Sequence, residues 1–366
     1  MIKNILIPTS LYDVHAIAIE YVLKEHKDKV NVIRWFCSDF PSIQSQTFTA
    51  DNNCYEFNVS PKNDDFSLGS IDLVWYRRPG SIVIDLDESH PDYEQICREN
   101  NHFHRNIWEL LPYKTKWVNH YSDSKRADCK LNQIRKAIES GLTVPKTISS
   151  NEPEKIKCFI KENKGRTLYK TFSGLHDWKE ENKVFRQHAT PVTLNDLPDD
   201  EMLRLSVGIF QEYIDKEYEL RIFYIDGQFI SAKIRLPKGS AGEHDWRAAA
   251  NQGLIIEPYE LPEKIRNSLA EFMQSLNLVT GSIDMIRDTQ GEYVFLEVNE
   301  SGQFIWLELE NPEIKVLGPF CKFIVEAATG GESTIDESKI SANDIFGRKD
   351  FESILGFDLK EHIQAI

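Results

Sequence analysis

The sequence predicts an α/β protein in which an N-terminal α/β domain is followed by two further α/β segments. Three observations carry this. Roughly the first 115 residues alternate strand-like and helix-like apolar periods, as a parallel sheet with crossover helices requires. The stretch from residue 206 onward is rich in strand patterns and holds two hairpin signals, Asp226-Gly227 and Asp288-Thr-Gln-Gly291. The 366 residues suffice for two or three domains with a sizeable core.

The elements follow in order. Residues 4–8 read as a buried strand closed by Pro8. Residues 15–26 have helical spacing, with Ile17, Tyr21, Val22 and Leu23 on the inner side. Strands follow at 30–36 and 71–76, and a helix at 103–111. A helix-rich connector over 119–140 opens at the capping residues Ser122-Asp-Ser124 and stops at Gly141. A strand is expected at 142–145, a helix at 153–163 and a strand at 167–172. Residues 173–200 form a polar, mostly irregular excursion. Strands at 209–214, 220–225, 228–234, 282–287 and 293–298 are covered by helices at 262–275 and 312–328. Gly330-Gly331 closes the globular part, and the polar tail has a helical patch at 349–355. The domain division expected is 1–118, 119–205, 206–332 and a tail, 333–366.

A net charge of -15 argues against a general nucleic-acid binder. No apolar run reaches the ~18 residues of a membrane span, and the N-terminus is too short for a signal peptide. Six cysteines without a Cys-x-x-Cys pair fit reduced thiols. A cytoplasmic location is therefore expected. A homodimer is compatible with the sequence.

The densest chemistry lies in Gly281–Gly302. Alternation along a strand puts Glu297 and Asn299 on the face of Tyr293 and Phe295. With a four-residue loop, Asp284 sits opposite Phe295 and Glu297 is its diagonal neighbour, about 7–8 Å away. Oxygen ligands without His or Cys suit Mg²⁺. Lys170 ends a strand just before Ser173-Gly174, where an ammonium and backbone N–H groups can meet a phosphate. Lys130 lies on the connector helix. Residues 209–221 read on their own as a strand with a charged end; alternatively the apolar neighbours of Gln211 and Glu212, among them Tyr213 and Ile214, could form a slot for a flat base, with Glu219 in reach of a ribose hydroxyl. Arg221, Lys233, Arg235 and Arg247 are further cations around the same sheet.

Taken in order, these elements resemble the ATP-grasp ligases over about residues 1–330. The resemblance implies an N-terminal domain followed by two subdomains that clamp ATP. It implies phosphate-binding roles for Lys130 and Lys170, an adenine linker at Gln211, Glu212, Tyr213 and Ile214, and a ribose acceptor in Glu219. It implies metal ligation by Asp284, Glu297 and Asn299. Trp75-Tyr-Arg-Arg-Pro79, Asp245-Trp-Arg247 and Glu300-Ser-Gly-Gln-Phe-Ile-Trp-Leu-Glu308 resemble the microviridin (graspetide) type of ribosomal-peptide maturase. Phe304 stands there where another aromatic, often Trp, is usual.

The implied activity joins side chains of a precursor peptide by ester or amide crosslinks, through an acyl phosphate made with ATP and Mg²⁺. The partner is a peptide with a leader and a core containing acidic residues and Thr, Ser or Lys. Arg247 and Arg221 would offset charge in the reaction; Arg77 and Arg78 would hold an acidic core segment or stabilise the oxyanion, or else form a structural pair packing the end of the third strand. The loops at 173–174 and 239–242 are candidate lids, and leader contact is expected in 173–200. Two other readings share the nucleotide site: a ligase acting on a free amino acid or peptide C-terminus, and a non-catalytic peptide-binding module.

Overall fold

A computed structural model describes the chain except for residues 62–64, 173–176, 181–182, 187–188, 237–252, 332 and 365–366. The N-terminal part holds β1 (Lys3–Thr9), β2 (Val30–Phe36), β3 (Ser45–Ala50), β4 (Tyr55–Ser60), β5 (Phe66–Ser67), β6 (Leu73–Trp75) and β7 (Lys116–Val118). The parallel sheet predicted from the alternating periods is present, with strand order β2-β1-β6-β7. The helix Val14–Leu23 is the crossover between its first two strands and starts at Asp13, whose carboxylate accepts the His15 N–H. A separate antiparallel sheet, β3-β4-β5, was not expected. Most of β3 is exposed, so no apolar period marks it in the sequence.

The middle of the chain holds β8 (Thr147–Ser150), β9 (Thr167–Lys170), β10 (Asp177–Glu180), β11 (Lys183–Arg186), β12 (Thr190–Val192) and β13 (Gly208–Glu212). An antiparallel sheet runs β12-β9-β13-β8, and β10 and β11 form a separate hairpin. Ile156 and Ile160 of the helix Pro153–Glu162 pack with Leu203 and Phe210 beneath it. Two expectations are corrected. The strand expected at 142–145 is a single bridge, Thr143 to Val294, and β8 starts only after Pro145, which has no N–H for a ladder. The excursion at 173–200, expected to be mostly irregular, contains the short strands β10, β11 and β12. Their four or fewer residues are too short to show a period.

The last sheet is antiparallel and runs β16-β15-β14-β17-β18. Its strands are β14 (Lys216–Ile225), β15 (Gln228–Arg235), β16 (Ile255–Pro258), β17 (Thr280–Asp288) and β18 (Tyr293–Asn299). One face packs on the helix Glu263–Ser275 and on the connector helix Lys130–Glu139, through Leu220, Ile222, Ile283, Met285, Phe295, Phe272 and Ala137. At its other end Phe223, Ile225, Ala232 and Ile234 join the core of the N-terminal sheet. Sheet membership thus crosses the expected division at 205/206: β13 belongs to the middle sheet, and the connector helix to the last one.

The tail is not a loose appendage. Ile335, Ala342, Ile345 and Phe351 are buried in that shared core, and a helix runs Lys349–Glu361, longer than the 349–355 patch. Its Asp358 holds Arg34 of β2 at 2.5 Å, and Glu20 holds the same guanidinium at 2.6 Å. Among the described residues no helix is long and apolar enough to cross a membrane.

Candidate active site

The hairpin of β17 and β18 carries the acidic pair. Tyr293, Phe295 and Val298 all pack in the cluster beneath the helix Glu263–Ser275. Strict alternation cannot put 295 and 298 on one face. A bulge, marked by the register shift between Asp284 and Met285, supplies the extra residue. Beyond it Glu297 and Asn299 turn to the face opposite Phe295, which corrects the shared face expected from the sequence. The pairing is corrected too: Asp284 lies directly opposite Glu297, and Ser282 opposite Asn299. Direct cross-strand neighbours have Cβ atoms about 4.5–5.5 Å apart, closer than the diagonal separation expected. The loop is displaced by one residue because Asp288 stays in β17, its carboxylate accepting the N–H groups of Gln290 and Glu292 at 2.8 and 2.8 Å.

Two cations flank this pair. Arg221, opposite Asp284 in β14, donates from Nη1 to Asp284 Oδ1 at 2.8 Å and from Nη2 to the Gln303 carbonyl at 3.0 Å. Lys130 Nζ lies 3.5 Å from Glu297 Oε2. Lys130 opens the connector helix, which is pinned to β18 by Gln133: its amide donates to Val298 O and accepts from Val298 N, both at 2.9 Å. Glu219 is on the same face, since Tyr218, Leu220 and Ile222 occupy the other. It receives Lys216 Nζ at 2.9 Å. Lys233 and Arg235 do not belong to this face. Lys233 packs over the Tyr218 ring, and both cations pair with Glu257.

The donor set fits a magnesium-bound polyphosphate. Among the described residues no group of three His, Cys, Asp or Glu side chains converges. Two carboxylates and one amide leave room for the waters and phosphate oxygens that Mg²⁺ prefers to a full protein cage. Among the described residues Arg221 Nε is buried with no hydrogen-bond partner, and it is a donor that an anion would satisfy.

The middle sheet presents the other nucleotide candidates. Lys170 is the last residue of β9, opposite Ile209 of β13. Gln211 is 4% exposed and donates to Thr147 Oγ1 at 3.1 Å. Glu212 exchanges backbone and side-chain contacts with Lys146, and its carboxylate accepts the Lys146 N–H at 3.4 Å. Tyr213 donates its N–H to Arg166 O, under the Arg166 guanidinium. Gln211 and Glu212 end β13, and Tyr213 and Ile214 begin the link to β14, between the two sheets. Arg247 and the loops 173–174 and 239–242 lie outside the described residues, apart from their flanks.

The two arginines of the Trp75–Pro79 stretch part company. Arg78 is exposed and meets the Gln303 side-chain oxygen when that amide is turned toward it. Arg77 is 1% exposed and already engaged, with Asp13 on Nε and the carbonyls of Ser301 and Gly302 on Nη1. A side chain so enclosed cannot hold a peptide carboxylate, so for Arg77 the structural reading holds and the peptide-binding one does not. Sequence reasoning missed His15 and Asn119. His15 Nε2 accepts the N–H groups of Phe304 and Ile305 at 3.0 and 3.3 Å. Burial, and then the charges of Arg77, Arg78 and Arg221, push its pKa well below the usual range. Asn119, at the end of β7, donates to the carbonyls of Thr280 and Glu300 and accepts from Val279 and Thr280. Its only sequence signal was a polar residue after an apolar strand.

A model of the RimK-like ATP-grasp domain matches residues 127–311. No curated protein matches the chain. Among solved structures, the macrocyclase MdnC of Microcystis aeruginosa MRC, bound with precursor peptide MdnA, is similar at 26% identity and TM-score 0.76, over 90% of this chain and 99% of that one. The macrocyclase MdnB of the same organism is similar at 25% identity and TM-score 0.73, over 90% and 100%. A RiPP-associated ATP-grasp ligase of Chryseobacterium gregarium, in complex with ADP and a leader and core peptide, shares the fold at 24% identity and TM-score 0.78, over 90% and 97%.

Proposed function

The chain belongs to the RimK-like ATP-grasp family, and from that premise we propose that it is an ATP-dependent ligase that crosslinks side chains within a ribosomally made precursor peptide. The observation that carries the reading is the face-to-face pair Asp284 and Glu297, flanked by Arg221 and Lys130, on a chain similar along nine-tenths of its length to two macrocyclases.

A carboxylate is a poor electrophile because its oxygen leaves badly. Bound ATP would supply a γ-phosphoryl group to the peptide carboxylate, and Mg²⁺ would offset the phosphate charge. The carboxylate oxygen bonds to phosphorus as the bond to ADP breaks. A Thr or Ser hydroxyl, or a Lys amine, then displaces phosphate and gives an ester or an amide. The protein's task is mostly positioning and charge stabilisation. Asp284, Glu297 and Asn299 would hold the metal. Lys130, Lys170 and Arg221, with Arg247, would face the phosphates. Gln211, Glu212, Tyr213 and Ile214 would seat the base and Glu219 the ribose. Arg78, exposed beside Gln303, would meet an acidic core segment.

The proposed division of labour follows the sheets. The middle sheet with the β10–β11 hairpin would cover the nucleotide and contact the leader. The last sheet would hold the metal, and the N-terminal domain would face the core peptide. The test is to incubate the chain with ATP, Mg²⁺ and peptides that have a leader and a core of mixed Thr, Ser, Lys, Asp and Glu. Loss of one water mass per crosslink, matched by ADP formation, is expected. ADP formed only with free amino acids would favour the amino-acid ligase, and no ADP with any substrate would favour a binding module.

A further inference from the structure

Residues of the N-terminal domain reach into the turn that follows β18. Arg77 Nη1 donates to the carbonyls of Ser301 and Gly302. His15 Nε2 accepts the N–H groups of Phe304 and Ile305, which open the short helix Ile305–Glu310. Asp13 orders both: its carboxylate holds Arg77 Nε at 3.1 Å and the His15 N–H at 3.2 Å, and Thr9 Oγ1 donates to it at 3.2 Å. All three side chains are at least nine-tenths buried. The burial-lowered pKa keeps His15 neutral, as an acceptor must be.

The turn they hold touches the acidic pair at two points. Gly302, at φ +63, donates its N–H to Asn299 Oδ1 at 3.1 Å and so orients that amide. The Gln303 carbonyl takes Arg221 Nη2 at 3.0 Å, while Arg221 Nη1 sits on Asp284. Turns of this kind have little rigidity of their own. Here the carbonyls at 301 and 302 and the N–H groups at 304 and 305 are satisfied from another domain.

We propose that Asp13, His15 and Arg77 are positioning residues for the metal–nucleotide site: they fix the turn 300–305 and, through it, the Asn299 amide and the seat of Arg221 on Asp284. This rests on the reading that Asp284, Glu297 and Asn299 bind Mg²⁺. It makes the N-terminal domain a part of the nucleotide machinery that it does not itself line.

The test is calorimetric titration of ADP into the full chain, once with Mg²⁺ and once with EDTA. The ratio of the two affinities reads the metal alone. In the double variant Asp13→Asn/Arg77→Met, which leaves no buried ion unpaired, the Mg²⁺-dependent gain should shrink about 10-fold or more while affinity in EDTA stays within about 2-fold. His15→Leu should act in the same direction. His15→Gln, which retains an acceptor, should recover part of the gain. If the double variant fails to fold, the His15 pair decides. A lowered melting temperature with an unchanged ratio in the folded variants would mean a merely structural role and overturn the proposal. Asp284→Asn is the control. Loss of its Mg²⁺-dependent gain, with an unchanged ratio in the other variants, rejects the positioning role alone. A retained gain in Asp284→Asn rejects the metal reading and the positioning role with it.

Discussion

Asp284 and Glu297 are direct cross-strand neighbours of like charge, an arrangement that disfavours the fold unless cations stand by. Arg221 at 2.8 Å and Lys130 at 3.5 Å partly meet that need. A divalent ion held by Asp284 and Glu297 would meet it more fully, because it would supply two positive charges there. Asp284→Asn or Glu297→Gln removes one ligand charge and little volume. Either change should lower ATP turnover by roughly two orders of magnitude or more while the circular dichroism spectrum is kept. Near-wild-type ADP release from both variants would refute the metal assignment. Arg77 makes the contrasting point. A guanidinium in a motif reads as a ligand-binding group, yet its burial and three protein partners make it a brace.

At the scale of elements, the bulge in β18 decides which side chains share the face of Asp284. Without it, Glu297 would share the face of Phe295 and point into the cluster under the helix Glu263–Ser275. A one-residue shift exchanges the two faces of a strand, so this local irregularity is a condition of the site. The β10–β11 hairpin is the other informative element. It stands apart from the β12-β9-β13-β8 sheet, and its backbone pairs only with itself among the described strands. We expect the leader peptide to add contacts there. Hydrogen exchange with and without leader should then slow within 173–200. Protection confined to the N-terminal sheet would count against leader contact at the hairpin.

For the molecule as a whole, the C-terminal helix Lys349–Glu361 closes over the N-terminal sheet layer. The helix Lys349–Glu361 covers the helix Val14–Leu23, and Phe351 packs edge-on against Tyr21. Asp358 is 1% exposed and makes a two-pronged contact with Arg34 at 2.5 and 2.9 Å. Removing one partner of a buried pair costs roughly 3–5 kcal/mol. Glu20 still holds Arg34, so Asp358→Ala should fall at the lower end of that range. Urea unfolding is the measurement, and a loss within error of zero would show the tail to be dispensable. Glu308, fully buried, ties the same region from within: its carboxylate accepts the N–H groups of Val316, Leu317 and Ala342.

The sequence by itself determined the periodic elements and the order of the chemistry-bearing residues. The strand 30–36, the helix 262–275 and the β14–β15 hairpin at Asp226-Gly227 were legible because apolar period and turn chemistry are local properties. The resemblance to ATP-grasp ligases was legible for the same reason, since it rests on short motifs in a fixed order. The tertiary structure decided what depends on partners distant in the chain. The exposed β3 and the short β10 and β11 carry no period of their own. The β18 bulge exists because Phe295 and Val298 must both enter one core, which no local pattern announces. The roles of His15, Arg77 and Asn119 depend on groups more than 150 residues away, and only folding brings them within hydrogen-bonding distance.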